Sequence, residues 1–121
     1  MRNDYRTRIL PNAAAIDAEQ WNRLAAAAAG RERAQPFLRH EFFDALERSG
    51  CVGSHTGWQV QHLLVHDRAG PAAVVPLYRK SHSYGEYVFD WAWADAWQRS
   101  GRRYYPKWLV AVPFTPVPGV R

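Results

Sequence analysis

The residue types best suited to chemistry are concentrated between positions 78 and 95. This segment combines an imidazole, hydroxyl groups, carboxylates and aromatic rings around one glycine. A pocket for a polar substrate needs ring walls and a few convergent polar groups, and the segment supplies both. Glu86 and His82 are candidates for a general base that takes a proton from an amine, with Tyr84 or Tyr87 as the proton donor. The segment is therefore a candidate site for acid–base chemistry at an amine.

The same residues have a structural interpretation that stays open. Trp91, Trp93 and Trp97 would then belong to the core, and the polar side chains would line a surface loop. A second polar-aromatic cluster, at positions 104–107, either presents tyrosine hydroxyls at the end of a strand or is a plain loop. If the region forms a pocket, the residues predicted to bind substrate are Tyr84, Tyr87, Asp90, Trp91, Tyr104 and Tyr105.

Other chemistries find little support in the sequence. His62 and His66 fall on a predicted strand, where residues four positions apart are separated by about 13 Å, too far to share a metal ion. Cys51 follows a predicted helix, and a helix C-terminus disfavours the thiolate that a nucleophile needs. Neither the GxGxxG nor the GxxxxGKS/T nucleotide-binding pattern occurs. We therefore expect no metal site and no covalent enzyme intermediate.

Composition limits the class of protein. The chain has 121 residues, which is room for one small domain, and 22% of them are charged, so it should fold. No apolar run approaches the roughly 18 residues of a membrane span. No apolar stretch follows the charged N-terminus as it would in a signal peptide. A single cysteine cannot form an internal disulfide, so we expect a cytoplasmic location.

The net charge of +5 comes from 16 basic and 11 acidic residues, and fourteen of the basic residues are arginines. Arginine is suited to contacts with anions and carboxylates. The arginines are scattered rather than gathered on one stripe, so the charge pattern does not indicate a nucleic-acid partner. A solvated basic surface is the plainer interpretation, and a polyanionic partner stays open.

Two helices are predicted in the N-terminal half of the chain. Asp17 caps the first helix, Gln20 completes a capping box, and Gly30 ends the helix. The second helix follows Pro36, carries apolar residues at helical spacing and ends at Gly50. Both helices therefore offer an apolar face that must pack on another element.

The hydrophobic period changes to two at Trp58. Residues 58–66 predict a strand, 67–70 a hairpin turn, and 72–78 the partner strand, in which Pro76 indicates an edge position or a bulge. A loop at 81–89 that runs into a short strand follows, and then a Trp-rich helix at 90–101. The apolar run 108–112 predicts a strand buried on both faces.

This order of two helices, a hairpin, a Trp-rich helix and a buried strand predicts an α+β domain with a mixed or antiparallel sheet. We treat residues 1–121 as a single, incomplete domain. The predicted buried strand ends nine residues before the C-terminus, which leaves little chain to cover the second face of the sheet.

Three segments together carry a resemblance to a known family. They are residues 36–42 (PFLRHEF), 80–95 (KSHSYGEYVFDWAWAD) and 104–117 (YYPKWLVAVPFTPV). In these segments the chain resembles the N-terminal part of bacterial FemAB-like, GNAT-type N-acyltransferases associated with peptidoglycan biosynthesis. The resemblance covers nearly all of the chain from about Ile16 onward, and the central motif is long and specific.

The resemblance implies a longer protein with two GNAT-like halves, of which this chain is most of the first. Such proteins pass an acyl group from acyl-CoA, or an amino acid from aminoacyl-tRNA, to an amine, for example of a cell-wall precursor. Residues 98–103 partly match the loop that holds the CoA pyrophosphate, but Arg103 stands where glycine or alanine is usual. We therefore expect no cofactor bound by this chain alone, and acetyl-CoA or another acyl donor in the complete protein.

The partners expected from the resemblance are a small-molecule amine and a missing C-terminal half, or self-association in its place. By itself the chain should be inactive. The main alternative function is a non-catalytic binding module for an anionic ligand or a protein partner. A third is a structural half that only supports the rest of the protein, in which case apolar surface should be exposed.

Overall fold

A long, bent hairpin connects two three-stranded antiparallel sheets in the computed structural model, which describes residues 4–29 and 35–120. The strands are β1 Arg6–Leu10, β2 Trp58–Val60, β3 His62–Asp67, β4 Gly70–Val75, β5 Leu77–Lys80 and β6 Lys107–Val110. The helices are α1 Ala18–Ala29, α2 His40–Arg48 and α3 Trp91–Arg99. The first sheet has the strand order β1-β3-β4 and the second has the order β2-β5-β6. The predicted α+β class is confirmed, and both sheets are antiparallel.

The predicted hairpin forms, but each of its strands is divided in two. Residues 58–66 form β2 and β3, separated at Gln61, and the partner strand is divided into β4 and β5 at Pro76. Proline has no N–H to donate to a ladder, so regular pairing stops there. The Gln61 N–H still donates to the Leu77 carbonyl at 3.0 Å, which keeps the two halves together. The tip of the hairpin can therefore pair with β1 while its base pairs with β6.

The strand predicted at 108–112 lies at the edge of the second sheet as β6, and the prediction that both of its faces are buried is wrong. Trp108 and Val110 are 57% and 43% exposed. An unbroken apolar run does not by itself say whether alternate side chains meet another layer. The short strand predicted within 81–89 is also wrong, because the structure describes all of these residues and they form turns and loop. The strand β1 was not predicted, since three of its five residues are polar.

The predicted helices are confirmed. The Asp17 carboxylate accepts a hydrogen bond from the Gln20 N–H at 3.1 Å, so the cap of α1 is where the sequence indicates it. The predicted stop at Gly30 lies outside the described residues. Gly50 follows α2 with a φ of +78°, the left-handed conformation that glycine adopts at a helix end.

The assignment of the tryptophans of α3 to the core is wrong. Trp91, Trp93 and Trp97 are 43%, 73% and 44% exposed, although their spacing is helical. Of the nine residues of α3, all of them described, only Ala94 is buried. The helix therefore presents its indoles outward rather than to the sheet.

The core instead contains a series of ring contacts that runs from the helices into the hairpin. Trp21 of α1 contacts Phe43 of α2 and His62 of β3, with ring centroids 5.1 and 5.4 Å apart. His62 in turn contacts Tyr78 of β5, which contacts Trp58 of β2. All five side chains are almost fully buried. This series of edge and tilted contacts joins both sheets to the helices and fixes the base of the hairpin, from which the polar segment 81–90 departs.

Candidate functional site

The only two lysines of the chain lie directly opposite each other at one end of the second sheet. Lys80 ends β5, Lys107 begins β6, and the two are cross-strand partners. Like charges in this position repel and destabilise a sheet. The Glu86 carboxylate compensates, because its Oε2 lies 3.1 Å from Lys80 Nζ and its Oε1 lies 2.6 Å from Lys107 Nζ. The Glu86 side chain is only 2% exposed, so these ion pairs are shielded from water.

Lys107 extends the network toward α3. Its ammonium group donates hydrogen bonds to Asp90 Oδ2 at 2.6 Å and to Ser83 Oγ at 2.9 Å. The same Asp90 oxygen accepts a hydrogen bond from the Tyr104 hydroxyl at 2.6 Å. The Tyr105 hydroxyl lies 2.7 Å from Ser83 Oγ. The polar residues of the loop and of the 104–107 cluster therefore form one network.

The electrostatics of this network follow from burial and pairing. Burial lowers the pKa of Lys80, and the neighbouring Glu86 only partly offsets this effect. For Lys107, burial also lowers the pKa, but hydrogen bonds to Asp90 and Glu86 outweigh it, so the pKa rises. Burial raises the pKa of Asp90, but the hydrogen bonds from Lys107 and Tyr104 outweigh it and bring the pKa to about 2. The hydrogen bond to Asp90 in turn raises the pKa of Tyr104. At neutral pH Asp90 is therefore ionised and Lys107 is protonated, so this pair carries its full opposite charges.

Two backbone contacts hold the loop in place above the lysines. Lys80 Nζ donates to the Tyr84 carbonyl at 2.7 Å and lies 3.7 Å from the centroid of the Trp58 ring. Gly85 has a φ of +79°, and its carbonyl accepts a hydrogen bond from the Phe114 N–H at 3.0 Å. A Cβ at this glycine would come within 2.5 Å of the Phe114 ring, so the close approach requires glycine.

His82 points away from the ion-pair network. Its Nε2 lies 2.7 Å from the Thr56 carbonyl, and its Nδ1 accepts a hydrogen bond from the Tyr84 N–H at 3.1 Å. Its ring contacts Tyr84, whose ring contacts Trp91. The rings of Tyr84 and Trp91 are 66% and 43% exposed, so this row of rings forms a wall that is open to solvent.

The structure thus divides the predicted site residues into two groups. The ion-pair network contains Glu86, Asp90, Tyr104 and Tyr105, and the row of rings contains His82, Tyr84 and Trp91. Tyr87 belongs to neither group and is 58% exposed, with a φ of +58°.

Three members of the network were not among the site residues predicted from the sequence: Lys80, Ser83 and Lys107. The signal that could have found the lysines is their rarity, because they are the only lysines among sixteen basic residues. The planar guanidinium of arginine suits bidentate contacts, whereas the compact ammonium of lysine is a point charge that fits a narrow position beside a carboxylate.

Two buried carboxylate oxygens of the network accept no hydrogen bond from the described residues, Glu86 Oε2 and Asp90 Oδ1. Glu86 Oε2 still lies 3.1 Å from Lys80 Nζ, as an ion pair. A buried carboxylate oxygen that lacks a donor carries a desolvation cost, which a ligand N–H would remove. Asp90 Oδ1 is therefore the place in the network, at the N-terminal end of α3, where an added donor would be stabilising.

Residues 4–29 and 35–120 contain no group of three or more side chains that could hold a metal ion. In the same residues no helix is long and apolar enough to cross a membrane.

Comparison with known proteins identifies the family. A family model described as FemAB_like, peptidoglycan biosynthesis/recognition, matches residues 12–121. No curated protein and no solved structure matches the chain significantly. The matched region includes α1, α2, both halves of the hairpin and every residue of the ion-pair network. The chain therefore belongs to the FemAB-like family of peptidoglycan biosynthesis and recognition proteins.

Proposed function

We propose that this chain is the acceptor-binding portion of an N-acyltransferase that modifies an amine of a peptidoglycan precursor. The family assignment supports the class of acceptor. The observation that carries the proposal is Asp90 Oδ1, a buried oxygen that accepts no hydrogen bond from any described residue, whereas Asp90 Oδ2 accepts hydrogen bonds from both Tyr104 and Lys107. An ammonium or amine N–H is the donor that best complements such an oxygen.

The proposed reaction is a direct transfer. The amine nitrogen forms a bond to the carbonyl carbon of a thioester or ester, the carbon–sulfur or carbon–oxygen bond breaks, and a base takes one proton from the nitrogen. The leaving thiolate or alkoxide takes up a proton. No covalent enzyme intermediate is needed.

Binding of the amine and removal of its proton would fall to different residues. Asp90, with a pKa of about 2, stays ionised and would hold the amine in place rather than take its proton. Glu86 and His82 remain the candidates for the base. Each would have to exchange a present partner, a lysine for Glu86 and the Tyr84 N–H for His82, before it could accept a proton. Tyr84, Trp91 and the two tyrosines of the network would form the walls around the acceptor.

We assign the acyl donor to another part of the complete protein. In the 98–103 loop, the N–H groups of Ser100, Gly101 and Arg102 donate to carbonyls of α3. A pyrophosphate site needs such N–H groups free at the start of a helix. The donor, acyl-CoA or aminoacyl-tRNA, is made in the cytoplasm, which is the compartment we propose for the reaction.

The proposal is tested by calorimetric titration of the 121-residue chain with a peptidoglycan stem peptide that bears a free primary amine. The matched ligand is the same peptide with this amine acetylated. We expect binding of the free amine, a loss of at least tenfold on acetylation, and a similar loss in Asp90→Asn. Equal affinity for both peptides, or unchanged affinity in Asp90→Asn, would refute the proposal and favour the non-catalytic binding module.

A further inference from the structure

The helix α3 carries an exposed apolar face that the proposed acceptor site does not use. Trp93 and Trp97 lie one helical turn apart and are 73% and 44% exposed. A helix of nine residues is only marginally stable in water unless it packs on something, and Ala94 is its only buried residue. Large exposed apolar surfaces of this kind mark interaction sites.

Two arginines adjoin these indoles. The Arg102 guanidinium lies 5.0 Å from the centroid of the Trp97 ring. Arg103 lines the same open cleft as Trp93, Trp97 and Tyr104. We refer to Trp93, Trp97, Arg102 and Arg103 as the indole–arginine patch.

The patch carries two positive charges that are not neutralised. Within the described residues, neither Arg102 nor Arg103 forms an ion pair. The two carboxylates of the segment are already engaged, Asp95 with Arg99 and Asp90 with Lys107. The patch therefore combines aromatic area with an unbalanced positive field.

We propose that the indole–arginine patch docks on the surface of an anionic lipid bilayer. Indole rings settle at the level of lipid headgroups, where one part of the ring is apolar and its N–H can meet water. Guanidinium groups beside them bind headgroup phosphates in a bidentate manner. The inference goes beyond the proposed transfer reaction, because it rests on residues that the acceptor site does not include.

The charge of the patch favours a lipid surface over two other binding partners, a second copy of this chain and nucleic acid. A second copy that met the patch face to face would bring four unpaired guanidinium groups together, which disfavours self-association there. Nucleic acid generally needs phosphate contacts along an extended basic stripe. The patch offers two cations beside a large apolar area, which suits a surface that has both charge and an apolar interior.

Co-sedimentation of the purified chain with vesicles tests the proposal. We expect binding to vesicles of phosphatidylglycerol and phosphatidylcholine, weaker binding to phosphatidylcholine alone, and release at high salt. The double variant Arg102→Ser, Arg103→Ser should lose about 25-fold in partition coefficient, because each basic residue near an anionic surface contributes roughly fivefold. Trp93→Ala with Trp97→Ala should lose at least tenfold even at low salt.

Matched control variants remove two arginines, or one aromatic ring, outside the indole–arginine patch. Arg8→Ser with Arg68→Ser removes two exposed arginines of the first sheet and its hairpin turn, and Tyr5→Ala removes an exposed ring near β1. These controls should lose less than about threefold, and circular dichroism should show all variants folded. Equal losses in patch and control variants would overturn the proposal. The proposal would also be overturned if the chain bound neither vesicle type and instead formed a dimer or a nucleic-acid complex that the patch variants abolish.

Discussion

At the scale of single residues, the two lysines have opposite environments within one network. Lys80 is fully buried between the Trp58 ring and Glu86, whereas Lys107 is 15% exposed and touches both carboxylates. Burial alone would favour the neutral form of either amine. The hydrogen bond to a second carboxylate raises the pKa of Lys107 despite its burial, and the same contact holds Asp90 ionised. This residue therefore combines a structural ion pair with the free oxygen that the acceptor proposal uses.

The variant Asp90→Asn tests the ion pair between Asp90 and Lys107, because the stability that this pair contributes depends on pH. The pKa of Asp90 falls from 3.8 to about 2 on folding. Because the folded-state pKa is the lower one, the stabilisation is present above about pH 4 and is lost as the pH falls toward 2. We expect the variant to be less stable by about 2 kcal/mol at pH 7. Urea unfolding of both proteins at several pH values should show the two stabilities converging in acid, and a pH-independent difference would contradict the assigned ion pair.

At the scale of elements, the site depends on how the 81–90 loop is held against β5 and β6. Gly85 contributes a left-handed backbone conformation and room for the Phe114 ring. The contact connects the loop to the segment that follows β6. A side chain at this position would push the loop and the ring apart, and with them the carboxylates that the loop carries.

Gly85→Ala should therefore destabilise the protein by about 3 kcal/mol, which combines the positive φ with overpacking against Phe114. Gly101→Ala is the matched control, since Gly101 has a φ of +83° but a Cβ there would meet no atom within 4 Å. The control should cost only about 1 kcal/mol. Urea unfolding measures both values. If the two variants were equally stable, the close approach of Phe114 to the loop would be wrong.

The elements also show what the sequence could predict. The start of α1 was predictable because Asp17 and Gln20 interact across three positions of one chain segment. The break at Pro76 was indicated, but its consequence, a hairpin divided between two sheets, depends on the pairing of β1 and β6. Likewise Glu86 and Asp90 stood out by type, whereas Lys80 and Lys107 become partners only through the register of β5 and β6. Patterns within a segment do not contain such long-range pairings.

At the scale of the whole molecule, a second polar contact, between the largely buried Glu47 and the fully buried His62, joins the helices to the sheets. Glu47 of α2 accepts a hydrogen bond from the Ala13 N–H at 2.7 Å and lies 3.1 Å from His62 Nε2 of β3. Burial raises the pKa of Tyr78 well above its usual value, and the nearby charge of Glu47 raises it further. The carboxylate thus lies where the N-terminal segment, α2 and both halves of the hairpin meet.

Glu47→Ala should accordingly destabilise the whole fold rather than one element. The variant leaves the fully buried Ala13 N–H and the His62 ring without their acceptor, at a combined cost of about 3 kcal/mol. Asp44→Ala on the same helix is the control, because it removes a carboxylate that pairs with the exposed Arg48 one turn away and should cost less than about 0.5 kcal/mol. Urea unfolding followed by both tryptophan fluorescence and far-ultraviolet circular dichroism distinguishes the two cases. Coincident transitions at a lower urea concentration for Glu47→Ala would show that one carboxylate couples the layers, whereas a loss of helix signal that precedes the fluorescence change would show that α2 is held independently of the sheets.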